Sequence, residues 1–200
     1  MVFAQSHPWT CVKDDGKIQV YTRKSDTSKL KTVKATTVVA SSLSALVAVL
    51  IDTKNHKNWV FMNKKAEVLD KTGPFHWFLY SQSDAPWPAT DRDIISETVM
   101  EQDSVTKAIT VTARAVPEYI DKVQEYVRIP YARAQWRFVP QKNGRVRITF
   151  TLKIDVGGSI PIWLMNMVSA KGPYKTLQAF RRELQKKKYR EAHLCYIAEP

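Results

Sequence analysis

Gly144-Arg-Val-Arg-Ile-Thr-Phe-Thr-Leu-Lys-Ile-Asp-Val156 is the most regular stretch of this 200-residue chain. Val146, Ile148, Phe150, Leu152, Ile154 and Val156 alternate with Arg145, Arg147, Thr149, Thr151, Lys153 and Asp155. A period of two places the two sets on opposite faces of a strand. One face is dry and the other wet, the pattern of an antiparallel sheet packed on one side. Gly157-Gly158 closes the strand, and the period then changes. Trp163, Met167, Ala170, Tyr174, Leu177, Phe180 and Leu184 recur at three and four residues, one apolar helical stripe. This predicts a long helix over residues 161–189, about 40 Å at ~1.5 Å per residue. Gly172-Pro173 should bend it or break it. A helix of that length can lie across a whole curved sheet. The concave face is wider than one helix, so the remainder is either filled by large side chains or left as a cavity.

Working upstream, residues 9–13 and 17–24 flank Asp14-Asp15-Gly16 and read as a β-hairpin. Residues 30–40 are rich in Thr and Val and read as a second long strand. Ser41 or Ser42 caps a helix over residues 43–51, with Leu43, Leu46, Val47 and Leu50 on one face. A second short helix is expected over residues 54–62, carrying Trp59 and Phe61. Strands are expected over residues 66–70, 75–82, 93–101, 105–115 and 133–138. Val105, Ile109, Val111, Ala113 and Ala115 would share one face of the fourth of these. The order is strands, two helices, a run of antiparallel strands, then one amphipathic helix. That is a single α+β domain over residues 1–200, its core about 9–189.

Composition narrows the partners. The chain carries 31 Lys and Arg against 19 Asp and Glu, a net charge of +12. Such a surplus favours anionic surfaces: phospholipid headgroups, nucleic acid or acidic proteins. No apolar run approaches the ~20 residues of a membrane helix. Val2-Phe3-Ala4 resembles the end of a cleaved signal peptide, without the apolar part. The chain is therefore expected to be soluble, cytoplasmic or exported. Cys11 and Cys195 read as free thiols, a disulfide requiring that the two ends meet. His7, His56, His76 and His193 have no metal spacing, and no nucleophile elbow, phosphate loop or dinucleotide motif occurs. No catalytic residue, metal or cofactor is expected.

Ala85-Pro-Trp-Pro-Ala-Thr-Asp-Arg-Asp93 is the most unusual segment. Pro86 and Pro88 fix the backbone and hold Trp87 in one direction, either at a cavity mouth or as a lid on the core. Arg92 has a carboxylate on each side and can satisfy its fork locally, pair with a backbone carbonyl, or meet a ligand head.

In order and spacing, several segments resemble the START (steroidogenic acute regulatory protein-related lipid transfer) domain. They are Asp52 with Trp59 and then Ala66-Glu-Val-Leu69; Pro86-Trp-Pro followed by Asp91-Arg-Asp93; Trp136-Arg-Phe followed by Pro140; the run from Asp155 to Asn166; and Thr176-Leu followed by Phe180-Arg and Glu183-Leu184. The resemblance runs from about Trp9 to Tyr189. It implies a helix-grip fold, a curved antiparallel sheet wrapped around a C-terminal helix with an internal apolar cavity for one lipid. Sterol-binding members carry a buried acid–base pair. Aligned on Arg92-Asp93, its positions fall near Leu79 and Thr98, which form no such pair. This implies a more uniformly apolar lumen, suited to acyl chains or another apolar molecule.

Trp59, Phe61, Trp77, Trp87, Arg92, Met100, Trp136, Phe150, Trp163, Met167 and Tyr174 are the expected cavity residues. Plain core packing is the competing reading for each single one of them. The expected function is a lipid-binding or lipid-transfer domain, monomeric, touching anionic membrane transiently. Nucleic acid is the less expected partner. Two alternatives stay open: a cyclase-like enzyme of the helix-grip superfamily acting on an apolar substrate, and a basic surface-binding module with no ligand.

Overall fold

The computed structural model describes residues 8–24, 31–158 and 171–200. Ten strands among them form one sheet: β1 (Thr10–Asp14), β2 (Ile18–Arg23), β3 (Thr32–Ala40), β4 (Asn63–Lys71), β5 (His76–Ser83), β6 (Arg92–Gln102), β7 (Ile109–Ala115), β8 (Val127–Arg128), β9 (Tyr131–Gln141) and β10 (Arg145–Asp155). The order is β1-β2-β3-β10-β9-β7-β6-β5-β4, antiparallel throughout except that β8 adds in parallel to β6. Strands β3 and β4 are consecutive in sequence but far apart in the sheet. Helix α1 (Leu43–Ile51) and a 3-10 turn (Thr53–Asn58) carry the chain between them. Helix α2 (Gly172–Glu183) packs against β2, β3 and β10, and a short α3 (Lys187–Arg190) follows. None of the described helices is long and apolar enough to cross a membrane.

The hairpin, most of the strands and α1 form where period and punctuation place them, while the two-residue β8 has no counterpart among the expected strands. Asp15 folds the first turn by accepting the amide N–H groups of Lys17 (2.9 Å) and Ile18 (2.7 Å), and Gly16 takes the positive φ of +76° that the turn needs. Ser42 caps α1 by accepting the Ala45 N–H at 3.1 Å. The β10 alternation holds, with Val146 and Ile148 buried in the core.

Three elements depart from expectation. The second helix is a 3-10 turn ending at Asn58, because its Thr-Lys-Asn-His-Lys-Asn sequence is poor in helix formers. Asn58 bonds back to Asn55 at 2.6 Å, and the positive φ of Met62 turns the chain into β4. Strand β7 starts at Ile109, not Val105. Asp103 gathers the N–H groups of Val105 and Thr106 into a turn that leaves Val105 85% exposed.

The third departure is the C-terminal helix, which does not run on to Tyr189. It stops at Glu183, and Lys186 is extended before α3. Polar contacts shape this end. Asn55 donates to Glu183 (2.6 Å) and to the Tyr189 hydroxyl (2.8 Å), while Asp52 accepts from Tyr189 and Lys188, both at 2.8 Å. The segment 161–170, with the first part of the expected helix, lies outside the described residues. Packing continues past Tyr189, since Ile197 belongs to the core.

Candidate functional site

On two central strands the inward side chains are large at one end and small at the other. On β9 they run Phe138, Trp136, Ala134, Ala132, and on β7, Ile109, Val111, Ala113, Ala115; on β6 only the middle is small, the row running Met100, Thr98, Ser96, Ile94, Arg92. These positions are in register. Phe138 pairs with Ile109 and Ile148, whereas Ala134 pairs with Ala113 and Leu152, and Thr98 with Ala113 and Trp77. At the large end, Phe138, Ile109 and Ile148 are wholly buried beside Leu177 and Phe180 of α2. At the small end the alanines of β7 and β9 leave space between the sheet and residues 59–62 and 172–176. A cavity of about 300 Å³ remains.

Its sheet wall comprises Trp77, Leu79, Ser81 and Ser83 of β5, Arg92, Ile94, Ser96 and Thr98 of β6, and inward residues of β7, β9 and β10. Asn63 of β4 extends the sheet wall beside Ser83, and opposite lie Leu50, His56 and residues 59–62, with Gly172, Pro173 and Thr176 of α2. Thr176 Oγ1 accepts the Phe61 N–H at 3.1 Å and ties these two covers together. Trp59 packs edge-on against Trp136, Phe180 and His56, with centroids 5.8, 5.1 and 4.9 Å apart, and Trp136 stacks on Phe150 at 4.4 Å. His56 Nε2 donates to the Leu50 carbonyl at 2.8 Å, and burial holds the imidazole below its ordinary value.

Of the expected residues, Trp59, Phe61, Trp77, Arg92, Trp136 and Phe150 are brought together around this cavity. Met100 is buried in the core, in the same cross-strand row as the lining residues Val111 and Trp136, but is not itself part of the cavity lining. Tyr174 lies away from it, donating to Asp15 at 2.7 Å beneath the Lys13 ammonium. That bond holds the Asp15 carboxyl down at about 2. Trp87 is neither lid nor lining: it is 90% exposed on the β5–β6 loop. Trp163 and Met167 lie outside the described residues. Leu79 and Thr98 both line the cavity. The expected cavity residues do not include the alanines and serines that make the space. Their signal was present as Ala113-Arg-Ala115, Ala132-Arg-Ala134 and Ser81-Gln-Ser83.

Arg92 does not pair with its neighbours' carboxylates. Asp93 is held by Arg128 in a buried bidentate pair at 2.9 and 3.0 Å. Asp91 accepts the Ala85 N–H at 2.9 Å and lies 3.6 Å from Lys64. Arg92 donates one Nη1 hydrogen to the Thr90 carbonyl. Among the described residues, three buried side-chain polar atoms have no partner: Trp59 Nε1, Asn63 Oδ1 and Arg92 Nε. All three residues line the cavity. Cys11 and Cys195 are free and exposed.

The START domain family's sequence profile matches residues 1–190. The chain belongs to the START domain family. It is 32% identical to the STAR-related lipid transfer protein of Xanthomonas axonopodis, over 89% of this chain and 99% of that fragment, with a TM-score of 0.81. A Pseudomonas aeruginosa protein, named only as uncharacterised, is 28% identical over 92% of this chain and 90% of its own length. Human STARD10, at 17% identity over 90% of this chain and 74% of that one, has a TM-score of 0.77 and shows the fold alone. The same holds for the ZhuI aromatase/cyclase of a Streptomyces species, at 16% identity over 81% of this chain and 97% of that one, with a TM-score of 0.58. Like its START relatives, the chain wraps a mainly antiparallel sheet against a C-terminal helix.

Proposed function

We propose that this START domain binds one hydrophobic ligand in its cavity and exchanges it with membranes. The paired alanines on β7 and β9, which leave space against otherwise apolar walls, carry this reading. Natural cores close such space, because voids of this size are destabilising. Burying ten methylenes there would contribute about 8 kcal/mol before the entropic costs of association. The name of the Xanthomonas relative, a lipid transfer protein, supports the same reading. Leu79 and Thr98 occupy the positions where the resemblance placed the acid–base pair of sterol-binding members. Their presence in the cavity wall supports an acyl chain over a sterol.

Exchange needs a mobile cover. The start of α2, with Gly172, Pro173 and Thr176 on the cavity, is one candidate. The loop bearing Trp87 is the other. It presents an exposed indole between two prolines, suited to a membrane interface. Native mass spectrometry of the purified protein, followed by organic extraction, tests the reading. A bound species of defined mass, or uptake of a fluorescent fatty acid, is expected. A protein that is empty and takes up no fatty acid, phospholipid or sterol would end it.

A further inference from the structure

Resting on that reading, we propose that the ligand carries an anionic head, a carboxylate or a phosphate, which binds Arg92 at the polar end of the cavity. Cross-strand register sets the site. Asn63 of β4 pairs with Ser83 of β5, which pairs with Arg92 of β6. Directly opposite residues share a face, so these three side chains form one polar row, and each lines the cavity. Arg92 is 6% exposed. A buried guanidinium requires a countercharge. Here the adjacent carboxylates are engaged elsewhere, Asp93 by Arg128 and Asp91 by Lys64 and the Ala85 amide. The Thr90 carbonyl satisfies one N–H but neutralises no charge. Arg92 Nε, with no partner among the described residues, remains to be satisfied. Residues 159–170, which precede α2, contain no acidic residue in their sequence. Burial pulls the guanidinium below its ordinary value despite the Asp91 carboxylate.

A carboxylate or a phosphate would complete the site. Both accept the planar fork of an arginine, and both supply the missing charge. Ser83 flanks that position with a hydroxyl that can donate to an anionic head. Asn63 Nδ2 already donates to the Lys65 carbonyl at 3.2 Å, and its orphaned Oδ1 is an acceptor, suited to a hydroxyl or amide beside the anion rather than to the anion itself. The rest of the wall runs away from Arg92 along β6 through Ile94 and Ser96 to Thr98. Six residues of strand span ~20 Å. One acyl chain occupies about half of a ~30 Å bilayer core, roughly 15 Å, so this wall is long enough to take a single chain. The geometry therefore orients the ligand, with its head at Arg92 and its tail towards Trp77, Trp136 and Phe150.

Three amphiphiles with one common tail test this: hexadecanoic acid, hexadecyl phosphate and 1-hexadecanol. Binding of each to the full chain is followed by tryptophan fluorescence and native mass spectrometry at constant ionic strength. At least one anion should bind roughly tenfold or more tightly than the alcohol, the scale of a buried charge-assisted contact. The preferred anion tells a carboxylate site from a phosphate site. Arg92→Met should bring the anion-to-alcohol ratio to within about twofold while the alcohol still binds, and Arg92→Lys should keep part of the preference. Equal affinity for the alcohol and both anions overturns the proposal, as does a preference that survives in Arg92→Met. The wild-type ratio decides by itself if that variant fails to fold. Binding of none of the three would instead remove the cavity reading, and this inference with it.

Discussion

Ala134 and Ala113 face each other across β9 and β7, and their small size makes the cavity. Ala134→Leu would add three methylenes into open space rather than into a packed core. It should reduce fluorescent fatty acid uptake roughly tenfold or more while leaving the melting temperature unchanged or raised. Loss of stability with uptake retained would place the ligand elsewhere. His56 makes a different prediction. It is buried as a neutral donor to the Leu50 carbonyl, and its folded value lies below the ordinary 6.5. As pH falls through 6.5 towards the lower folded value, the unfolded chain takes up a proton that the folded chain refuses. Stability is therefore complete above about pH 6.5 and falls below it, by at most about 1.4 kcal/mol per pH unit. Urea titrations at pH 7.5 and pH 5.5 should show a smaller difference for His56→Gln than for wild type. At this scale the aromatic walls were legible, because Trp and Phe announce themselves. The alanines were not, because a cavity is made by missing atoms.

The elements were legible where local period and punctuation agree. Strand β10 and helix α1 lie where alternation and a serine cap place them, whereas α2 was read too long. Lysine and arginine favour helix, but Asp52, Asn55 and Glu183 draw Lys188 and Tyr189 into a bend that no local signal marks. The same lesson holds at the start of α1. Glu199 accepts the N–H groups of Leu43 at 2.9 Å and Ser44 at 2.8 Å, alongside the Ser42 cap. A residue 155 positions away thus serves amides that a helix start leaves unsatisfied. Glu199→Ala should lower stability by about 1 kcal/mol, read as a lower urea midpoint with an unchanged slope. An unchanged midpoint would show that water serves those amides equally well.

On the scale of the molecule, the proposed exchange with membranes would draw on net charge and an exposed indole together. A net charge of +12 should draw the protein to anionic lipid by around 1 kcal/mol for each basic residue near the surface. The screening length is ~8 Å at physiological salt. Ligand transfer from phosphatidylserine-containing vesicles should therefore slow as salt rises. Trp87→Ala should slow it further while leaving affinity for a soluble ligand intact. Transfer insensitive to both would argue for exchange through water.

The sequence by itself determined most of the strands, the apolar face of β10, the capped first helix and the family. Each is written in local spacing, period or composition. Tertiary structure decided that Arg128, not Arg92, takes the Asp93 carboxylate, that Glu199 caps a distant helix, and that alanines of two strands meet beneath the helices. These depend on which strands are neighbours and in what register. Register is set by the packing of the whole sheet, so no single segment carries it.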